Sequence, residues 1–292
     1  MMRYFLCVVF YGICHTTCLC QKIISPNDSL AFWSDVMFNV HDPTHRELAA
    51  VRAEDLLYRL LRDGQLDESR LNPNIIRLEL PHYKSHLFTW QCEKNNLYDY
   101  FGYYVDSLRN IVRFHREPRQ YDRIRNEQFD SDHWYGAVYY HVLPYTFGEE
   151  SYCVLFGFAQ NELKEKFRII EIMDLHKGIV RLGIPVLKLK DEQGEEFTAQ
   201  RQVVRYSSTA NCVLRFEPDN DMIVYDHIIT FEDPMAPGVS SMLPDGSYEA
   251  FQYHNGKWNY ISKLQTEIQN SAPREKPILN QKKDLFGRDK KG

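Results

Sequence analysis

The sequence predicts a mainly β protein: a long antiparallel meander, strongly curved or closed, carrying an N-terminal helical pair. Three observations lead there. From about residue 74, apolar residues recur with a period of two, which places alternate side chains on one face of a strand. The connections "EKNN", "DEQG", "PDND" and "NG" are short, and short connections make neighbouring strands antiparallel. Aromatics form 14 % of the 292 residues, with 19 Tyr and 17 Phe, and they suit half-buried pleated surfaces. Curvature or closure is expected because about a dozen strands in one flat sheet would leave exposed edges.

The first element is an export signal over residues 1–20. Arg3 supplies positive charge, and "YFLCVVFYGIC" is an apolar run too short to span a bilayer. Cys18 and Cys20 stand at the −3 and −1 positions of a cleavage site, which makes Gln21 the mature N-terminus. An uncleaved anchor helix, or lipidation of Cys18 or Cys20, are the alternatives for this segment. No later stretch is long and apolar enough to span a membrane as a helix, so the cleaved chain is not expected to be transmembrane.

Residues 21–72 form the helical segment. "DSLAFWSDVMFNV" puts Leu30, Trp33, Met37 and Val40 on one face. A second helix starts with Asp42 as N-cap and Pro43 at its first position, and Gly64 stops it. Leu48, Val51, Leu56 and Leu60 form its expected apolar stripe. Helices this short are unstable alone, so the stripe must dock on the sheet.

Residues 73–268 form the β domain. Thirteen runs read as strands, from "IIRLELP" through "SYCVLFGFAQ" to "KWNYISKL". The firmest is the hairpin "SYEAFQYH-NG-KWNYISKL". Asn255-Gly256 suits a type I′ turn, which pairs His254 with Lys257, Tyr253 with Trp258 and Phe251 with Tyr260. Two strands share an aromatic-Gly-aromatic step, Phe101-Gly102-Tyr103 and Phe156-Gly157-Phe158, where glycine permits a bulge or a close backbone approach. Residues 269–292 read as a disordered basic tail, with Leu285-Phe286 its only anchor.

Charge narrows the function classes. Between residues 21 and 270 there are 27 basic against 37 acidic residues. An acidic body argues against nucleic acid, whose phosphates require clustered Lys and Arg. Four of the seven cysteines lie in the signal. Cys92, Cys153 and Cys212 remain, too few for a disulfide framework. Each sits in an apolar strand pattern and reads as a small buried hydrophobe, although one bridge among them is compatible with export.

The weak site candidates are Asp226, His227 and His141. Asp226 and His227 are adjacent in a strand, so their side chains point to opposite faces unless a bulge intervenes. Asp226 is expected to accept from the following turn, "FEDPMAPG", and His227 to make one hydrogen bond from an apolar row. His41/His45 and His82/His86 lack a third ligand and read as solvated, so no metal and no cofactor is expected. Trp90, Trp134 and Trp258 fit strand faces that must be buried. No nucleophile elbow, phosphate-binding loop or dinucleotide fingerprint occurs.

Several segments in order, among them "HLFTWQCEKNNLYDYFGYY", "WYGAVYYHVLP", "RYSSTANCVLRFEPDNDMIVYDHII" and "DLFGR", resemble a family of exported, functionally uncharacterised proteins of Bacteroidota. The resemblance runs from about residue 30 to the tail and is specific in combination rather than motif by motif. The chain departs from the family pattern at "YTFGEE" and at Phe158. The resemblance implies a Gram-negative envelope address, periplasmic or outer-membrane associated, and no activity. The expectation is therefore a non-catalytic envelope protein that binds or scaffolds an envelope protein or surface. The alternatives are a periplasmic hydrolase using His227 or His141 with a carboxylate, and a carrier of a small hydrophobic or glycan ligand in a curved sheet.

Overall fold

A computed structural model describes residues 24–94, 97–161, 165–176, 178–190, 193–232 and 240–264. The export segment, Gln21, the tail and most of the "FEDPMAPG" turn lie outside these residues.

Two helices open the chain. α1 (Pro26–Asn39) is capped by Ser25, whose hydroxyl accepts from Asp28 N at 3.0 Å. α2 (Pro43–Asp63) is capped by Asp42, which accepts from His45 N at 2.9 Å, and is ended by Gly64 at φ 64°. Leu30 and Met37 of α1 are buried as expected, but Val40 lies beyond the helix in extended backbone. The α2 stripe needs a larger correction. Leu48 and Val51 are 48 % and 61 % exposed, and the buried face is Ala49, Ala53, Leu57, Leu60 and Leu61. Two alanines let the helix backbone approach its neighbours closely, so residue size misled the periodicity reading.

The strands follow in chain order: β1 (Ile76–Leu80), β2 (Ser85–Lys94), β3 (Leu97–Val105), β4 (Ile111–Arg113), β5 (Phe129–Asp130), β6 (Val138–Phe147), β7 (Glu150–Gln160), β8 (Glu165–His176), β9 (Ile179–Leu182), β10 (Leu187–Lys190), β11 (Glu196–Ala199), β12 (Arg201–Ser207), β13 (Leu214–Glu217), β14 (Met222–Glu232), β15 (Ser240–His254) and β16 (Lys257–Ile261). They build three open sheets. The first is a four-strand meander, β1-β2-β3-β4. The second runs β5-β9-β8-β7-β6, with β12 beside the first half of β8 and β9 beside its second half. The third runs β11-β10-β16-β15-β14-β13, and its β10 and β16 pair in parallel.

The protein is thus mainly β, with a helical pair and antiparallel sheets. The single curved or closed meander is overturned: no sheet closes or curls strongly among the described residues. The sheets are instead stacked face to face. The helices pack on one face of the first sheet through Phe88, Trp90, Cys92 and Tyr103. Its other face meets the second sheet through Leu87, Tyr100, Tyr104, Tyr139 and Leu155. The far face of the second sheet meets the third through Val154, Phe156, Ile170, Tyr225 and Trp258. The middle sheet is therefore dry on both faces, which explains the near-continuous apolar run of β7.

The Asn255-Gly256 hairpin pairs as expected, with φ 49° and 76° at the turn. A side chain at Gly256 would collide with the ring of Phe147. Gly102 and Gly157 serve close approach: the Phe114 ring lies over the former, Tyr139 and Ile169 over the latter. Cys92, Cys153 and Cys212 are free and buried, and burial pushes their thiols up to about 11, 12 and 12. Trp90, Trp134 and Trp258 are all buried.

Candidate functional site

Asp226 and His227 diverge. The β14–β15 register shifts between Asp226 and Ile228, so the strand is irregular there, yet the two side chains serve different partners. Asp226 is buried and accepts from Val213 N at 2.7 Å. The following turn expected to hold it lies mostly outside the described residues. His227 makes the single hydrogen bond expected of it, to a carboxylate. Its Nδ1 lies 3.1 Å from Asp245 and its Nε2 3.9 Å from Glu249. Hydrogen bonds from the Ser247 hydroxyl and backbone N–H, then from His227, pull the Asp245 carboxyl down to about 2. Glu249 also accepts from the Tyr260 hydroxyl at 2.8 Å.

His141 is exposed and packs against the Phe156 ring, 5.1 Å between centroids, with no carboxylate partner among the described residues. Desolvation of its ring beside Phe156 lowers its pKa. His86 lies against Arg77, and desolvation together with that guanidinium lowers its pKa. Among the described residues no three His, Cys, Asp or Glu side chains group as metal ligands, and no helix is long and apolar enough to cross a membrane.

Concave surface is found elsewhere, including around the start of β3. A cleft of about 530 Å³ forms where the first sheet meets the second, and Tyr98, Asp99, Arg116, Gln160, Glu165 and Arg205 are among its lining residues. Three neighbouring clefts of about 320, 200 and 140 Å³ share residues with it or with each other. Asp99 lines three of the four, and none of the four is lined by His141, Asp226 or His227.

The large cleft is built by the chain crossing between sheets. After β4, residues 115–117 pair with residues 131–134: His115 N donates to Ser131 O at 2.6 Å and Glu117 N to Trp134 O at 2.6 Å. Arg116 is thereby fixed between the sheets. Its Nη1 donates to Tyr98 O and to Asp99 Oδ1, both at 2.8 Å, and its guanidinium lies 5.1 Å over the Tyr100 ring. Tyr100 ties the sheets together on the same side. Its hydroxyl donates to Gln160 O at 3.2 Å and accepts from Gln160 N at 2.8 Å. Burial pushes that phenol up to about 12, so it stays protonated.

The far wall is an ion-paired lattice. Arg205 Nε donates to Glu165 at 2.9 Å, and Asn161 Nδ2 donates to the other oxygen of Glu165 at 2.7 Å. Tyr121 stacks on Phe167 with centroids 4.6 Å apart, and its hydroxyl donates to Gly136 O at 2.8 Å. The side-chain amides of Gln120 and Gln160, both lining the cleft, make no hydrogen bond among the described residues. Next door, Glu54 reaches from α2 into the two smallest clefts. Desolvation raises its pKa against the opposing pull of Arg113, and Tyr103 donates to it at 3.2 Å.

This arrangement can hold a polar ligand among fixed donors and acceptors. Sequence reasoning missed it because Asp99, Arg116, Gln160 and Arg205 belong to no motif. Only strand register and the crossover bring them together.

No family model, curated protein or solved structure matches this chain.

Proposed function

We propose that this chain is an exported, non-catalytic binding protein of the cell envelope, and that its ligand sits in the cleft beside β3. The observation that carries the reading is the large cleft itself, of a size typical for ligand sites at ~300–1,000 Å³ and lined by side chains held in place by neighbours. Two of its carboxylates, Asp99 and Glu165, are held by guanidinium groups, an arrangement suited to fixed recognition more than to proton transfer. Native mass spectrometry of the full chain after exposure to a small-molecule envelope extract tests it. The expected result is a retained mass that Asp99→Ala and Gln160→Ala weaken. Failure of wild type to retain any mass would refute the reading.

The envelope address rests on the N-terminal apolar run and its cleavage pattern. N-terminal sequencing of protein from the periplasmic or outer-membrane fraction should begin at Gln21, and recovery of intact Met1 from the cytoplasm would count against it. The basic tail supplies charge for docking on an acidic envelope partner or surface. Deletion of residues 271–292 should shift fractionation if it does.

A second reading, a hydrolase, has one observation in its favour: His227 is flanked by Asp245 and Glu249, the arrangement that orients a general base. Hydrolysis of ester, amide or glycoside model substrates that His227→Ala abolishes would establish it in place of the first.

A further inference from the structure

We infer that the ligand of the cleft beside β3 is a neutral oligosaccharide, an assignment that rests on the binding role proposed above. The first ground is charge. The lining carries three acids, Asp99, Asp122 and Glu165, and three arginines, Arg116, Arg119 and Arg205. Each arginine is already matched by a carboxylate: Arg116 by Asp99 at 2.8 Å, Arg119 by Glu117 at 2.7 Å, and Arg205 by Glu165. A phosphate or carboxylate ligand would have to compete with these partners, and a cationic ligand would find only the exposed Asp122 without a guanidinium among the described residues.

The second ground is the kind of polar group left over. The amides of Gln120 and Gln160 have no hydrogen-bond partner among the described residues, and each offers donors and an acceptor at once. Ion-paired carboxylates and guanidinium groups keep spare lone pairs and N–H bonds in the same cleft. A sugar hydroxyl both donates and accepts, so it matches such a mixed, fixed lining. The third ground is the apolar share. Half-buried Tyr98 and the exposed Leu97 and Pro118 border the polar groups. Tyr121 and Phe167 line the cleft too, but they are buried and stacked on one another. This is too little apolar surface for an acyl chain and enough to pack the C–H face of a pyranose ring against one amphipathic ring.

The test is an array of neutral and acidic glycans probed with the full chain, followed by calorimetry with the best neutral oligosaccharide, with trigalacturonate and with palmitate. The variant is Gln120→Ala/Gln160→Ala, whose side chains make no hydrogen bond among the described residues, with a thermal melt to show that it folds. A neutral oligosaccharide should bind wild type, and the variant should weaken it about tenfold or more. Binding only to trigalacturonate or palmitate, lost in the variant, would overturn the saccharide assignment and leave the binding role standing. Equal binding of the neutral sugar by wild type and variant, or no glycan bound on the array, would also overturn it, and the extract experiment then decides the broader role separately.

Discussion

Removing the guanidinium of Arg201 should cost the fold a large part of its stability. Arg201 in β12 and Glu171 in β8 are direct cross-strand partners, and both side chains are fully buried. Arg201 Nε lies 3.1 Å from both carboxylate oxygens, and Nη1 donates to Glu127 O at 2.7 Å and to Ile124 O. The guanidinium also sits 4.7 Å from the centre of the Phe129 ring. Desolvation opposes its charge most, yet Glu171 together with Tyr135 and Tyr139 outweighs that and leaves its pKa above the ordinary value. Tyr135 and Tyr139 complete the group by donating to Glu171. Arg201→Met keeps much of the volume but strands the Glu171 charge with only two phenols to solvate it. Breaking a buried pair in this way costs about 3–5 kcal/mol. Total stabilities of folded domains run to ~5–15 kcal/mol, so roughly a fifth or more would be lost. Replacing both partners, as in Arg201→Met/Glu171→Leu, removes the stranded charge and should cost less than Arg201→Met alone. Urea unfolding with linear extrapolation measures all three proteins. A loss under about 1 kcal/mol for Arg201→Met, or a double variant weaker than the single, would refute the electrostatic account.

Other consequences can be checked the same way. The Glu54 carboxyl titrates above its unfolded value, so over that pH window the native state holds a proton that the unfolded chain has lost. Stability therefore falls as pH rises through the window, and Glu54→Gln should raise the urea midpoint at pH 7 but not at pH 3; equal effects at both would sink the claim. Asp226→Ala should destabilise by about 1.5–3 kcal/mol through the lost charged hydrogen bond to Val213 N, while Asp226→Asn retains an acceptor and should lose less. Gly157→Ala pushes a Cβ to 3.2 Å from the Tyr139 ring and 3.3 Å from Ile169, between two strands that cannot yield easily. It should cost about 1–3 kcal/mol by thermal melt, and a neutral result would show that the ring is free to shift.

Much of the local structure was legible in the residues. The period of two located β2, β3, β7 and β14, and Asn255-Gly256 located the last hairpin with its register. Capping chemistry at Asp42, Pro43 and Gly64 bounded α2 correctly. The missed strands β5, β9 and β11 are only two to four residues long, too short to show a period. Division into three sheets was not legible, because alternation reports that a strand is covered and not what covers it. Cys153 and Val154 look equivalent in sequence, yet they face different sheets. The α2 stripe was misread because Ala49 and Ala53 carry little hydrophobic signal and bury through closeness instead. The cleft was illegible for a related reason: Asp99 and Arg205 are far apart in the chain, and ordinary polar residues at strand ends leave no mark until the strands are stacked.

The middle sheet has a consequence for how the chain may be divided. Its length would accommodate two independent units, but a fragment ending before β10 would leave Val154, Phe156, Ile170 and Ile172 facing water, and a fragment starting there would strip Tyr225, Phe251 and Trp258 of their cover. The first piece keeps the interiors on either side of the first sheet but bares a whole face of the second, and the other piece has no dry interior of its own. The polypeptide is therefore expected to melt as one object, with amide protons of β7 and β8 the last to trade with deuterium.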